Sequence, residues 1–179
     1  MMKKLVTLLC VGVIGAAVVA CGSSKEAAEE ISVEATETTE ATEGLANPWE
    51  ESSKEEISEV VGGDMEPLEE ATDAQYLLNL DEGIGEMSFN YLGAECVARV
   101  KTTEELEDIS GMNYDNWETE AVEIGEIKGE FKATKDGDNT VQVINLYDPS
   151  TEISYSLSAV GKDLDGMDIQ GLAEGTFQW

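Results

Sequence analysis

Ile153-Ser154-Tyr155-Ser156-Leu157-Ser158-Ala159 is the stretch that settles the fold class. Apolar or aromatic side chains alternate with serine, and a period of two belongs to a strand whose successive side chains point to opposite faces. One apolar and one polar face predicts an antiparallel sheet with a buried side and a solvated side. Working back toward the N-terminus, Asp148-Pro149-Ser150 reads as a turn. Residues 140–147 read as the preceding strand, with Val141, Val143 and Tyr147 in one phase and Ile144 and Leu146 in the other, so both of its faces are expected to be partly covered. Lys135-Asp136-Gly137-Asp138-Asn139 is a hairpin sequence, since Asp-Gly supplies the positive φ that a tight turn needs. Before it, Val122 and Ile124 open a strand toward Ile127, and Gly129-Glu130-Phe131-Lys132-Ala133 leads into the hairpin.

Farther back the same period recurs. Cys96, Ala98 and Val100 share one face while Glu95, Val97, Arg99 and Lys101 share the other. Residues 84–91 give another strand, set off by the turn Asp81-Glu82-Gly83 from a strand with Tyr76, Leu78 and Leu80 in phase. Helical spacing marks both ends of the domain. Ser52 or Ser53 is placed to cap a helix with Glu55 and Glu56 in its first turn, a stripe of Ile57, Val60 and Val61, and Gly62-Gly63 as its stop. Near the C-terminus, Asp165 as cap and Asp168 at the third position open a short helix with Ile169, Leu172 and Ala173 inward. Trp49, held by Asn47-Pro48, is expected to clamp the first helix onto the domain, and Thr102 or Thr103 to cap a short acidic turn through residues 104–106. The sum is a single α+β domain over residues 45–179: an antiparallel β-sheet meander with a short N-terminal helix and a short C-terminal helix packed on it.

The first 44 residues have a different character. Lys3 and Lys4 precede an apolar run over residues 5–20 that ends at Val18-Val19-Ala20-Cys21, followed at once by Gly22-Ser23-Ser24. A charged start, an apolar core and a small-residue end have the layout of a secretion signal, and the run is short for a membrane span. The stretch resembles the lipobox of bacterial lipoproteins. That resemblance implies a signal peptide at 1–20 and a diacylglyceryl group on Cys21, which a dedicated peptidase then makes the first residue. Residues 21–44 then form an acidic tether, with Glu26, Glu29, Glu30, Glu34, Glu37, Glu40 and Glu43 spaced by small residues and too little apolar surface to fold.

Charge and cysteine content narrow the function. The chain carries 10 basic and 39 acidic residues, a formal charge of −29. Loss of Lys3 and Lys4 with the signal leaves 8 of those basic residues and a charge near −31. Such a chain repels nucleic acid and anionic lipid, so attachment to the outer face of the cell membrane falls to the lipid on Cys21. Of three cysteines, Cys10 leaves with the signal and Cys21 takes the lipid, so Cys96 has no disulfide partner and reads as a small core residue. Histidine is absent. No Ser-His-Asp, Cys-His or zinc arrangement can therefore be assembled, and neither an enzyme nor a cofactor is expected. Side-chain oxygens of Asp136, Asp138 and Asn139 and of Asp163, Asp165 and Asp168 are the candidate calcium ligands, although the second group's spacing of 1, 3 and 6 departs from that of the calcium hand. Tyr114, Trp117 and Tyr147 are the candidate binding aromatics; Tyr114 and Trp117 would either pack on the sheet edge or form a shelf beside Asp108 and Asp115.

Three motifs, Asn47-Pro48-Trp49 before an acidic helix, Glu107-Asp108-Ile109-Ser110-Gly111-Met112 with Tyr114 and Trp117 behind it, and Leu164-Asp165-Gly166-Met167-Asp168-Ile169, resemble an uncharacterised family of small secreted lipoproteins from Gram-positive anaerobes of the clostridial group. Residues 62–72 are richer here in glycine and glutamate than in the sequences they resemble. The likeness implies surface attachment and an α+β domain and supplies no catalytic residues. The expected function is that of a lipid-anchored interaction or binding module facing a cell-envelope protein or wall component. The alternative is a solute-binding or calcium-binding lipoprotein serving a membrane partner.

Overall fold

The computed structural model describes residues 47–179. The signal, Cys21 and the tether lie outside the described residues. In chain order the elements are β1 (Glu50–Glu51), α1 (Lys54–Val61), β2 (Asp64–Met65), β3 (Thr72–Asn79), β4 (Ile84–Tyr91), β5 (Ala94–Thr102), β6 (Glu118–Ile124), β7 (Ile127–Asp136), β8 (Asn139–Asp148), β9 (Ile153–Gly161), α2 (Ile169–Thr176) and β10 (Phe177–Gln178). Eight strands form one antiparallel sheet in the order β1-β3-β4-β5-β9-β8-β7-β6, and β10 pairs with β2 beside it. The domain is the expected antiparallel meander with a short helix at each end. It consists of two meanders, β3-β4-β5 and β6-β7-β8-β9, joined because the last strand of the second pairs with the last strand of the first.

Tight turns set the registers. Gly137-Asp138 links Asp136 to Asn139, with Gly137 at φ +60°. Ile124 pairs with Ile127 across a second such turn at Gly125-Glu126, with Gly125 at φ +63°, so the stretch read from sequence as one strand through Ile127 is a hairpin. The signal was the single glycine between two alternating runs. Tyr91 pairs with Ala94 across Leu92-Gly93, both at positive φ, 49° and 84°.

Two eight-residue helices cover one face. Ser53 caps α1, its Oγ accepting from the Glu56 N–H at 3.2 Å, while the Ser52 hydroxyl donates to the Glu56 carboxylate at 3.0 Å. Ile57 and Val61 are buried, but Val60 is 49 % exposed because it sits on the margin of so short a helix. Gly62, at φ +81°, ends α1 by donating its N–H to Ser58 O. The cap of α2 is Asp168, which accepts from the Gly171 N–H at 2.9 Å, and not Asp165. Residues 164–167 are instead closed into a turn by the Met167 N–H on Leu164 O, which delays the helix by one turn. Helix α1 packs on β3, β4 and β5, and α2 on β8 and β9. Between helices and sheet lie Met87, Phe89, Cys96, Ala98, Val100, Ile144, Leu146, Tyr155 and Leu157. Tyr155, Phe177 and Trp179 stack at the C-terminal end, with Tyr155 and Phe177 centroids 5.0 Å apart.

The other face differs from expectation. Ser154, Ser156 and Ser158 are 0–1 % exposed, so the polar side of the deciding strand is not solvated. Residues 103–117 leave β5 and must reach β6 on the far side of the sheet, and they do so by crossing over β9, β8 and β7 as a strap. Serine is short enough to let that backbone approach, and Ser154 supplies a partner for its polar groups.

Candidate functional site

The strap is fastened by side chains from several strands. Ser154 Oγ lies 2.7 Å from Thr103 Oγ1 and accepts from the Glu107 N–H at 3.1 Å. Thr102 Oγ1 donates across to Val61 O at 2.8 Å, so neither threonine caps the acidic turn expected after β5, and residues 104–106 form no helix. Arg99 donates to Ile109 O at 3.1 Å, binds Glu86 at 2.7 Å, and holds its guanidinium 5.2 Å from the Trp49 ring. Trp49 thus clamps β5 from the strap's side of the sheet, opposite the face on which α1 packs. Lys132 bridges Asp108 at 3.0 Å and Glu130 at 2.7 Å. Burial works against both charges of the Asp108–Lys132 pair. The Ser110 hydroxyl, Lys132 and the Ser110 N–H more than offset it at Asp108, whose pKa falls below the usual carboxyl value. Glu130 and Asp108 likewise raise Lys132 above the usual lysine value.

The three candidate aromatics serve this strap. The Tyr147 hydroxyl donates to Glu104 O at 2.8 Å. Tyr114 and Trp117 meet edge to face with centroids 5.4 Å apart, and the Tyr114 hydroxyl donates to Asp136 Oδ2 at 3.3 Å. Asp108 contacts Ser110 and Lys132 instead of forming a shelf beside those rings. Three of the six calcium candidates are similarly occupied. Asp136 takes Tyr114, Asp168 caps α2, and Asp165 faces Lys135 at 4.0 Å. Among the described residues no group of three or more acidic, cysteine or histidine side chains is placed to hold a metal ion. Cys96 is buried, and burial pushes its thiol up to about 11, which keeps it protonated and unreactive at neutral pH.

The site that sequence reading missed lies on the helix-bearing face, over β6, β7 and β8. Eight strands at about 4.8 Å spacing span roughly 34 Å, whereas two helices cover only about 20–24 Å. With α1 over β3–β5 and α2 over β8–β9, the far end of the face is left open. Two adjoining cavities of about 490 and 220 Å³ occupy it, and both are lined by Phe131. The smaller has an apolar floor of Val122, Phe131, Ile144, Met167 and Ile169. The larger runs past Phe131 and Ala133 to Gln142, Thr140 and Lys135. Carboxylates of Glu118, Glu120, Asp165 and Asp168 stand along the two cavities, against the single cation of their linings, Lys135. Gln142 is 9 % exposed; its Nε2 donates to Leu164 O across a long 3.3 Å, and its Oε1 is enclosed without a partner. So weak a hold leaves that amide free to turn its acceptor toward a donor in the cavity. Phe131, Val122 and Met167 are therefore half-buried groove residues and not closed core. The helix lengths and the strand count together contained the signal.

Among the described residues no helix is long and apolar enough to cross a membrane. Comparison with protein-family models, curated proteins and solved structures finds no match to this chain.

Proposed function

We propose that the chain is a lipid-anchored extracellular binding module, held to the outer face of the cell membrane through Cys21 and engaging a component of the cell envelope through the groove over β6–β8. The observation that carries the binding role is the groove itself: a sheet end left uncovered by both helices, with a half-buried aromatic at its centre and charged residues along its sides. Exposed apolar concavities of this kind are where partners dock. The anchor rests on Ala20-Cys21 at the end of the apolar run.

One experiment on cells tests both parts. A photo-crosslinking residue is placed at exposed Gln170 beside the groove, or at exposed Leu92 on the β4–β5 turn as a control, in chain that is labelled metabolically with an alkyne fatty acid. The expected result is fatty-acid label on the chain and envelope adducts from position 170 but not from 92. Cys21→Ala is expected to abolish the label and release the chain into the medium. Retention of label in Cys21→Ala would overturn the anchor; adducts from position 92 alone, or from neither, would overturn the groove.

A further inference from the structure

Resting on that reading of the groove, we infer that its occupant is an extended cationic peptide. An apolar side chain of the peptide sits against Phe131, and its lysine or arginine groups meet Glu118, Glu120 and Asp165. Three observations converge on this class. The first is polarity along β6: Glu118 and Glu120 stand at one end of its groove side and Val122 and Ile124 at the other. The occupant must therefore present positive charge and apolar surface in series. A polyamine has methylene segments but no side chain to fill the space against Phe131, and a neutral glycan lacks the charge.

The second is length. From Glu118 to Val122 the strand advances roughly 13 Å at about 3.3 Å per residue, room for four or five residues of extended chain whose side chains alternate with the same period. The third is the balance of charge. Of Glu118, Glu120 and Asp165, the single cation Lys135 reaches only Asp165, at a loose 4.0 Å, and is itself turned to Thr140 Oγ1 at 2.6 Å. Gln142 Oε1 adds an acceptor with no donor of its own. Arginine and lysine bring donors as well as charge, so one class of partner answers each of these features.

The test uses the full chain and the labelled heptapeptide Lys-Ser-Lys-Ser-Leu-Ser-Leu, whose lysines and leucines follow one another along one face of an extended chain, at 150 mM salt, followed by fluorescence anisotropy and by the methyl NMR signal of Met167. Two further peptides replace every lysine with glutamate or every leucine with serine. The lysine–leucine peptide is expected to shift the Met167 methyl and leave Met112, on the strap, unmoved. Glu118→Gln with Glu120→Gln should weaken its binding at least tenfold. Glu55→Gln with Glu59→Gln, which removes the same charge from the exposed side of α1, should weaken it less than twofold. The lysine–serine peptide should bind at least tenfold more weakly. Equal losses in the two double variants would reduce the association to diffuse attraction and overturn the inference. A Met167 shift with the glutamate–leucine peptide alone would overturn the cationic class while leaving the groove a binding site. No Met167 shift with any peptide, alongside adducts from position 170 on cells, would overturn a peptide occupant without touching the groove's role.

Discussion

Gly85 is the residue on which the N-terminal helix depends. A Cβ at this position would run into the Ile57 Cγ2 methyl and lie 3.2 Å from Val100 Cγ2. Because its φ is not in the left-handed region, the backbone admits alanine and the cost of one is purely steric. Gly85→Ala is expected to destabilise by about 1–3 kcal/mol through overpacking. Ile57→Ala alone costs about 2–5 kcal/mol through its cavity. In the double variant the methyl fills part of that cavity, so the two losses should fall short of additivity by about 1 kcal/mol or more in urea unfolding. Strict additivity would show that α1 does not rest on Gly85. Nothing in Gly83-Ile84-Gly85 as a sequence distinguishes a turn glycine from one that admits a helix, because the distinction lies in a neighbour 28 positions away. Cys96 was more legible: its place in an alternating strand fixed it as inward, and burial accounts for its high thiol pKa.

At the scale of elements, the strap over residues 103–117 is the part that the pattern of the strands concealed. Alternation identifies which side of β9 is polar but not what covers it, and Ser154, Ser156 and Ser158 turn out to be buried partners and spacers for a crossing chain. The Asp108–Lys132 link gives the strap a pH window. The folded pKa of Asp108 is depressed, so its contribution is whole above the unfolded carboxyl value and is lost as pH falls through the folded one, from about pH 4 downward. That of Lys132 is raised, so its contribution is whole below the unfolded lysine value and is lost above about pH 10. Hydrogen exchange at the Ser110 and Met112 amides, measured relative to β8 and after correction for the intrinsic rate, should therefore accelerate as pH falls below about 4. Asp108→Asn should exchange faster at pH 6 and lose that acid step. An unchanged acid step in the variant would show that Asp108 is not the group whose protonation loosens the strap.

Over the whole molecule, charge is the dominant imbalance. With 39 acidic against 10 basic residues, self-repulsion opposes the folded state, and the described ion pairs are mostly exposed and contribute little. Screening should therefore stabilise: raising sodium chloride from 20 to 500 mM is expected to increase Tm by a few degrees in calorimetry. A fall would mean that the partly buried Arg99–Glu86 and Lys132–Asp108 pairs outweigh the repulsion. The sequence by itself determined the charge and the apolar run that ends at Ala20-Cys21. It also determined the alternating strands, the inward set from Cys96 to Leu157 and a helix at each end, because these follow from local period, caps and composition. Only the tertiary structure decided that β9 joins β5, that the strap must therefore cross three strands and cover the serines of β9, and that two short helices leave β6–β8 open. Those features depend on which distant strands pair and on how much area the helices can cover, quantities that no window of neighbouring residues contains.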